Sequence, residues 1–321
     1  MLRFAKAALL LLVFSLPFTK HGVTIGGLHA TATDFLYLVV VAALLAAVVK
    51  GEARLRWING FAILIAYFAA MLASVLVAGM LAGATPKLAS QLYLLSLPVI
   101  AYALIDDQDE LRRLFRVWLA GTAVCAGIGA ITVLLFAAGI DRALIDYALH
   151  GVGTLPPGSY PRLESTFTHP AMLCNYLTVS MAILLICLHL RWIRRTAGTS
   201  LLGAILVTAA FTITPGLGGI AALLGVWLFV TFRTRARPLA IAGLTLGTVL
   251  AIGFVAVSVV TPVLHPTAPF LVHLPGIEAP LAPSVRLMAW IEAGKSFVEH
   301  PVFGTGIGSD PIAVWYVAPS G

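Results

Sequence analysis

The sequence predicts an all-α, polytopic transmembrane helical bundle of about nine spans, with a large outer loop carrying an amphipathic helix. Three observations predict it. Charged residues make up 10% of the 321 residues, against about 25% in a soluble domain. Apolar residues make up 60%, and the mean hydropathy is +1.01. These apolar residues are gathered into runs close to the ~20 that a helix needs to cross a bilayer. Such a chain cannot cover a water-facing surface, and it is equally far from the composition of intrinsic disorder.

The runs occupy residues 4–18, 34–49, 58–82, 88–105, 117–139, 169–190, 201–214, 217–232 and 239–261. In the first, Arg3 and Lys6 stand ahead of Ala7–Phe18, as in a signal peptide. Ala30-Thr31-Ala32 lies too far beyond it for ordinary cleavage, so the segment is read as a span. Asp34 opens the second run as an N-cap. The seventh and eighth runs are short, and 201–232 as a single helix is the alternative. Thr214-Pro215-Gly216-Leu217-Gly218-Gly219 falls at the midpoint of that stretch. Proline there removes a backbone donor, and each glycine costs about 1 kcal/mol in a helix interior, which favours a hairpin. Residues 1–261 form the transmembrane domain and 262–321 an outer-loop segment without a further span.

Charge placement orients the chain. With the N-terminus inside, the inner segments hold Arg3 and Lys6, then Lys50, Arg54 and Arg56, then Arg112, Arg113 and Arg116. Arg191, Arg194 and Arg195 follow, and then Arg233, Arg235 and Arg237, so the inner side takes 14 of the 20 basic residues. That is the bias of cytoplasmic loops, and it removes nucleic acid as the explanation of the +7 net charge. Membrane lipids are the surroundings. A single helix over 201–232 would put the two arginine triplets on opposite faces. Cys125, Cys174 and Cys187 lie in apolar runs without a CxxC pair, and no acidic or histidine cluster has metal-ligand spacing. No cofactor or metal is expected.

Four stretches on the outer side could carry chemistry. The first is Pro161-Arg162-Leu163-Glu164-Ser165-Thr166-Phe167-Thr168-His169-Pro170, leading to Asn175-Tyr176. Thr168 as capping hydroxyl with Pro170 in the first turn makes a helix start. Arg162 beside that positive helix end suits a phosphate or pyrophosphate. The other reading pairs Arg162 with Glu164 at the membrane interface, with His169 as a capping or interfacial residue and Asn175 bonding a neighbouring helix. The second stretch is the hairpin, where Gly216 and Gly218 either admit an anion to backbone amides or serve tight helix packing. The third is Pro283-Ser284-Val285-Arg286, continuing to Val298. Here Leu287, Trp290, Ile291, Gly294, Phe297 and Val298 form one stripe and Glu292, Lys295, Ser296 and Glu299 the opposite face. This predicts a helix lying on the outer membrane surface. Arg286 borders the apolar stripe, suited either to a buried anion or to snorkelling. In the fourth, Pro301-Val302-Phe303-Gly304-Thr305-Gly306, the glycines predict a tight turn rather than a dinucleotide site.

Arg162-x-x-Ser165-Thr166-Phe167-x-x-Pro170, with Leu173 and Tyr176, resembles the R-x-x-G-T-F-x-x-P-N signature of the O-antigen ligase and polymerase superfamily. Arg286-x-x-x-Trp290 with Pro301-x-x-Gly304-x-Gly306 is similar to that family's second signature, in its large periplasmic loop. The resemblance implies metal-independent, inverting glycan transfer from an undecaprenyl-diphosphate-linked donor at the periplasmic face of the bacterial inner membrane. The acceptor is lipid A–core in the ligases and a second lipid-linked glycan in the polymerases. Carried over, Arg162 and Arg286 are the catalytic arginines that hold the diphosphate. Thr166, His169, Asn175, Gly216, Gly218 and Trp290 are the substrate-binding candidates. Two departures stand against it. Thr214-Pro215-Gly216 replaces a serine-arginine-glycine common in the family, and His300 does not match the family's later loop histidine. The sequence therefore reads as a C-terminally truncated copy. A sugar or lipid transporter and a non-catalytic membrane binding protein are the readings from other classes.

Overall fold

A computed structural model describes residues 1–25, 28–79, 81–140, 145–149, 163–212, 260–262, 281–283 and 285–306. Of these, 24–25, 28–29, 81–82, 260–262, 281–283 and 285–290 are described by their backbone alone. The described chain is largely helical. Its α-helices are α1 (Leu2–Ser15), α2 (Ala32–Val49), α3 (Asn59–Val77), α4 (Leu81–Leu104), α5 (Gln108–Ala137), α6 (Pro170–His189), α7 (Arg195–Ala210) and α8 (Val285–Glu299). α2 to α6 are long and apolar enough to cross a membrane, which makes this a multi-pass membrane protein. The last two expected spans, at 217–232 and 239–261, lie outside the described residues.

Local chemistry sets the helix boundaries and corrects several expectations. α2 opens one turn before Asp34 could cap it. Asp34 Oδ2 instead accepts from the Thr31 backbone N–H at 2.7 Å and the Thr31 hydroxyl at 2.8 Å, a reach back from the third helical position. α5 starts at Gln108, well before the expected 117, because Asp107 caps it by accepting from the Glu110 N–H at 2.8 Å. Arg112, Arg113 and Arg116 are therefore on the helix. α3 ends at Val77 and not at 82, where Gly79 turns left-handed (φ 67°) and donates to the Leu76 carbonyl. α4 then runs through Pro86 and Pro98, which membrane helices tolerate. α7 closes at Ala210, so 201–232 is not one helix; the glycine-rich turn expected beyond it lies outside the described residues.

The chain forms two compact units, Met1–Val49 with Ile105–Ala256, and Lys50–Leu104 with Val257–Gly321. In the first, α1 packs on α2 and α5, and α5, α6 and α7 pack on one another. After α1 comes a hairpin unforeseen in the sequence, β1 (Gly22–Ile25) against β2 (Leu28–Thr31), antiparallel with Gly22 opposite Thr31. Gly121, Cys125 and Gly129 recur every fourth residue on α5 and make its packing face. A Cβ at Gly121 would stand 3.1 Å from the Phe14 carbonyl oxygen, and one at Gly129 only 2.4 Å from Thr208 Cγ2. Small residues are what let membrane helices approach this closely.

In the second unit, α3 packs on α4, and β3 (Val260–Pro262) pairs antiparallel with β4 (Leu281–Pro283), just ahead of α8. The Ser74 hydroxyl of α3 donates to the Phe303 carbonyl in the turn after α8. On α8, Lys295 pairs with Glu292 at 2.7 Å along the expected polar face. Ile291, Phe297 and Val298 of the apolar stripe are exposed.

Candidate functional site

The site grows from residues 163–169, the stretch between the 3-10 turn Asp146–Ala148 and α6. Polar backbone here would be costly among apolar helices unless every group were paired. The Leu163 N–H donates to the Phe211 carbonyl at the end of α7 (2.9 Å), and the Glu164 and Ser165 N–H groups donate to the Ala148 carbonyl (2.9 and 3.0 Å). The Thr166 carbonyl accepts from the Lys20 N–H at 3.1 Å, and the Thr166 hydroxyl donates to the Pro17 carbonyl at 2.6 Å. Leu163, Glu164, Ser165, Thr166 and Phe167 are all buried. One short segment thus ties the exit of α1, the middle of α5, the 3-10 turn and the exit of α7 to the start of α6.

Ser165 sits at the centre. Its φ of 50° is left-handed, a region that costs a side-chain-bearing residue about 1–2 kcal/mol. Its hydroxyl donates to the Cys125 carbonyl at 2.7 Å, and the Cys125 thiol lies 3.7 Å from Ser165 Oγ. Cys125 is twelve residues before the end of α5, about 18 Å along the helix. The end of the 140–168 loop therefore folds back between helices rather than resting on an outer surface.

Around it the polar groups are paired. Glu164, 7% exposed, binds Lys20 at 2.5 Å. Lys20, a residue the sequence reading did not single out, pairs with the carboxylate that the sequence offered to Arg162; the Arg162 pairing itself lies outside the described residues. Lys20 Nζ also donates to the Tyr147 carbonyl and lies 4.8 Å from the centre of the Tyr147 ring. Tyr147 stacks on His21, with its hydroxyl 3.0 Å from His21 Nε2, and partial burial pushes its phenol above the usual range. Deeper, the Trp118 indole N–H donates to Ser180 Oγ at 2.8 Å, and Thr122 Oγ1 lies 2.9 Å from Ser180 Oγ and 3.2 Å from the Tyr176 hydroxyl. Tyr176 stacks on Trp118 at 5.2 Å.

No family model, curated protein or solved structure matches the chain.

The expected site residues divide accordingly. Thr166 is buried, with its hydroxyl committed to Pro17. His169 caps α6, its Nδ1 accepting from the Ala171 N–H at 3.1 Å, so the cap is one residue later than the Thr168 expected. Thr168 instead places its hydroxyl 3.4 Å from Met172 Sδ. Pro170 takes the first helical position. Asn175 is exposed on α6 and bonds nothing among the described residues. The backbone of Arg286 and Trp290 lies in α8, while their side chains, like Arg162, Gly216 and Gly218 altogether, fall outside the described residues. Lys20 was not expected in the site, and Ser165 stood in the motif without a role of its own. The small-residue repeat at Gly121, Cys125 and Gly129 is a signal that could have marked where this segment docks.

Proposed function

We propose that the chain transfers a glycan from an undecaprenyl-diphosphate carrier to a sugar hydroxyl at the periplasmic face of a bacterial inner membrane, as an O-antigen ligase-like protein. The carrying observation is the left-handed backbone at Ser165, the position where the resembling signature has glycine. A left-handed turn favours glycine, so the backbone at Ser165, with buried Thr166 and Phe167 after it and Pro170 at the helix start, supports the resemblance. The Asn175 amide, near the same helix end, has no partner among the described residues. Arg162 and Arg286 are assigned the diphosphate, where pre-organised guanidinium forks would stabilise the leaving group's charge. With the N-terminus cytoplasmic, 14 of the 20 basic residues fall on the inner side, a bias that supports a periplasmic position for 163–169 and α8.

Arg162→Ala and Arg286→Ala are expected to lower glycan transfer about a hundredfold or more, with membrane expression retained. Wild-type transfer by both variants would overturn the assignment. The product separates the two acceptors. A glycan on lipid A–core marks a ligase, and a lengthened lipid-linked glycan marks a polymerase.

A further inference from the structure

The opposite end of the α5–α6–α7 bundle carries a different arrangement. A cavity of about 500 Å³ opens there among Arg112, Arg116, Arg191 and Arg194, with Trp192 and Ile193 on its wall. No carboxylate pairs with any of the four arginines among the described residues. The nearby acidic groups are engaged elsewhere: Asp106 and Glu110 hold Lys6 at 2.8 and 2.5 Å, and Asp107 caps α5. Asp109, in the first turn of α5, makes no ion pair among the described residues.

Three further observations concern what the cavity is built to take. The Arg112 Nε is buried and has no hydrogen-bond partner, an expensive state for a guanidinium nitrogen. Arg116 is fixed by two bonds to the Trp192 carbonyl, from Nε at 3.2 Å and Nη2 at 2.8 Å. The first turn of α7 has no side-chain cap, since Arg194 at the N-cap accepts nothing, which leaves amides suited to an anion.

The strongest of the signals is in the backbone. α3 and α5 end on left-handed glycines, Gly79 and Gly139. α6 ends in the same kind of motif: Arg191 donates to the Leu188 carbonyl and Trp192 to the Cys187 carbonyl at 2.8 Å. Here, however, the left-handed position is an arginine, at φ 55°. The chain accepts a strained residue where its own helices elsewhere use glycine, and the side chain so placed lines the cavity.

We propose that this cavity is a phosphate-binding site, taking the phosphodiester of an anionic lipid headgroup or a soluble phosphate. Guanidinium forks match phosphate oxygens in pairs, and basic pockets between helix ends are where membrane proteins hold anionic headgroups. The site stands apart from residues 163–169 and does not depend on glycan transfer. The test uses the full chain in a neutral detergent, with thermal unfolding and titration of phosphatidylglycerol, phosphatidylcholine and inorganic phosphate. Wild type is expected to be stabilised by phosphatidylglycerol over phosphatidylcholine if the source is lipid, and by inorganic phosphate if it is soluble. Arg112→Gln should weaken that binding at least about tenfold. Arg191→Gly should unfold at a higher temperature without ligand, since glycine relieves the turn, and yet bind about tenfold more weakly. Absence of any anion response in wild type, or an equal response in Arg191→Gly, would overturn the site.

Discussion

The two ends of the α5–α6–α7 bundle handle polar groups in opposite ways. At one end, residues 163–169 bring a carboxylate, hydroxyls and backbone into the packing, and the protein itself supplies their partners: Lys20 for Glu164, Cys125 for Ser165, Pro17 for Thr166. At the other, four arginines stand round an open cavity without a carboxylate among the described residues. The first end holds its buried polar groups by internal pairing. The second leaves guanidinium donors without a carboxylate among the described residues.

The contrast can be broken at its hinge, where α5 meets α7. Gly129→Ala would bring a Cβ to 2.4 Å from Thr208 Cγ2, and Thr208 is fully buried with its hydroxyl donated to the Ala126 carbonyl at 2.9 Å. A cost of about 2–3 kcal/mol is expected, read as a lowered thermal midpoint in detergent. An unchanged midpoint would mean that the helices do not approach this closely. A paired comparison comes next. Lys20→Met removes a cation from a nearly buried carboxylate and should cost about 1–3 kcal/mol, whereas Arg194→Gln at the open end should stay within about 0.5 kcal/mol. Equal effects from the two would dissolve the distinction between the ends. The finest test is Ser165. Ser165→Ala keeps the left-handed strain and loses the bond to Cys125, while Ser165→Gly loses the bond but relieves the strain. The alanine variant should be the less stable by about 1 kcal/mol, as unfolding midpoints would show.

What the sequence disclosed follows from what is local. Hydropathy located α2 at 34–49 against the observed Ala32–Val49, and α6 at 169–190 against Pro170–His189, because an apolar run marks its own helix. It missed the first turns of α5, since Arg112, Arg113 and Arg116 interrupt the apolar run without interrupting the helix. It also left 83–87 between two spans, where α4 has already begun at Leu81. The cap of α6 was displaced by one residue because an imidazole nitrogen can accept as well as the Thr168 hydroxyl can. The site was legible only as a run of residues. Lys20 and Glu164 are 144 positions apart, as are neither charge pattern nor motif spacing able to reveal, and the left-handed Ser165 and Arg191 occupy turns that residue preference assigns to glycine.

The 30 residues of α5 extend about 45 Å, while the hydrocarbon of a bilayer is about 30 Å thick. The surplus is roughly ten residues, close to the length of the arginine-bearing first turns. With the apolar remainder of the helix filling the hydrocarbon, Arg112 and Arg116 reach the headgroup layer. A thicker bilayer would draw that end inward or upright the helix, and a thinner one would tilt it or lift the arginines into water. A change in bilayer thickness would thereby act first on the arginine-bearing end of α5.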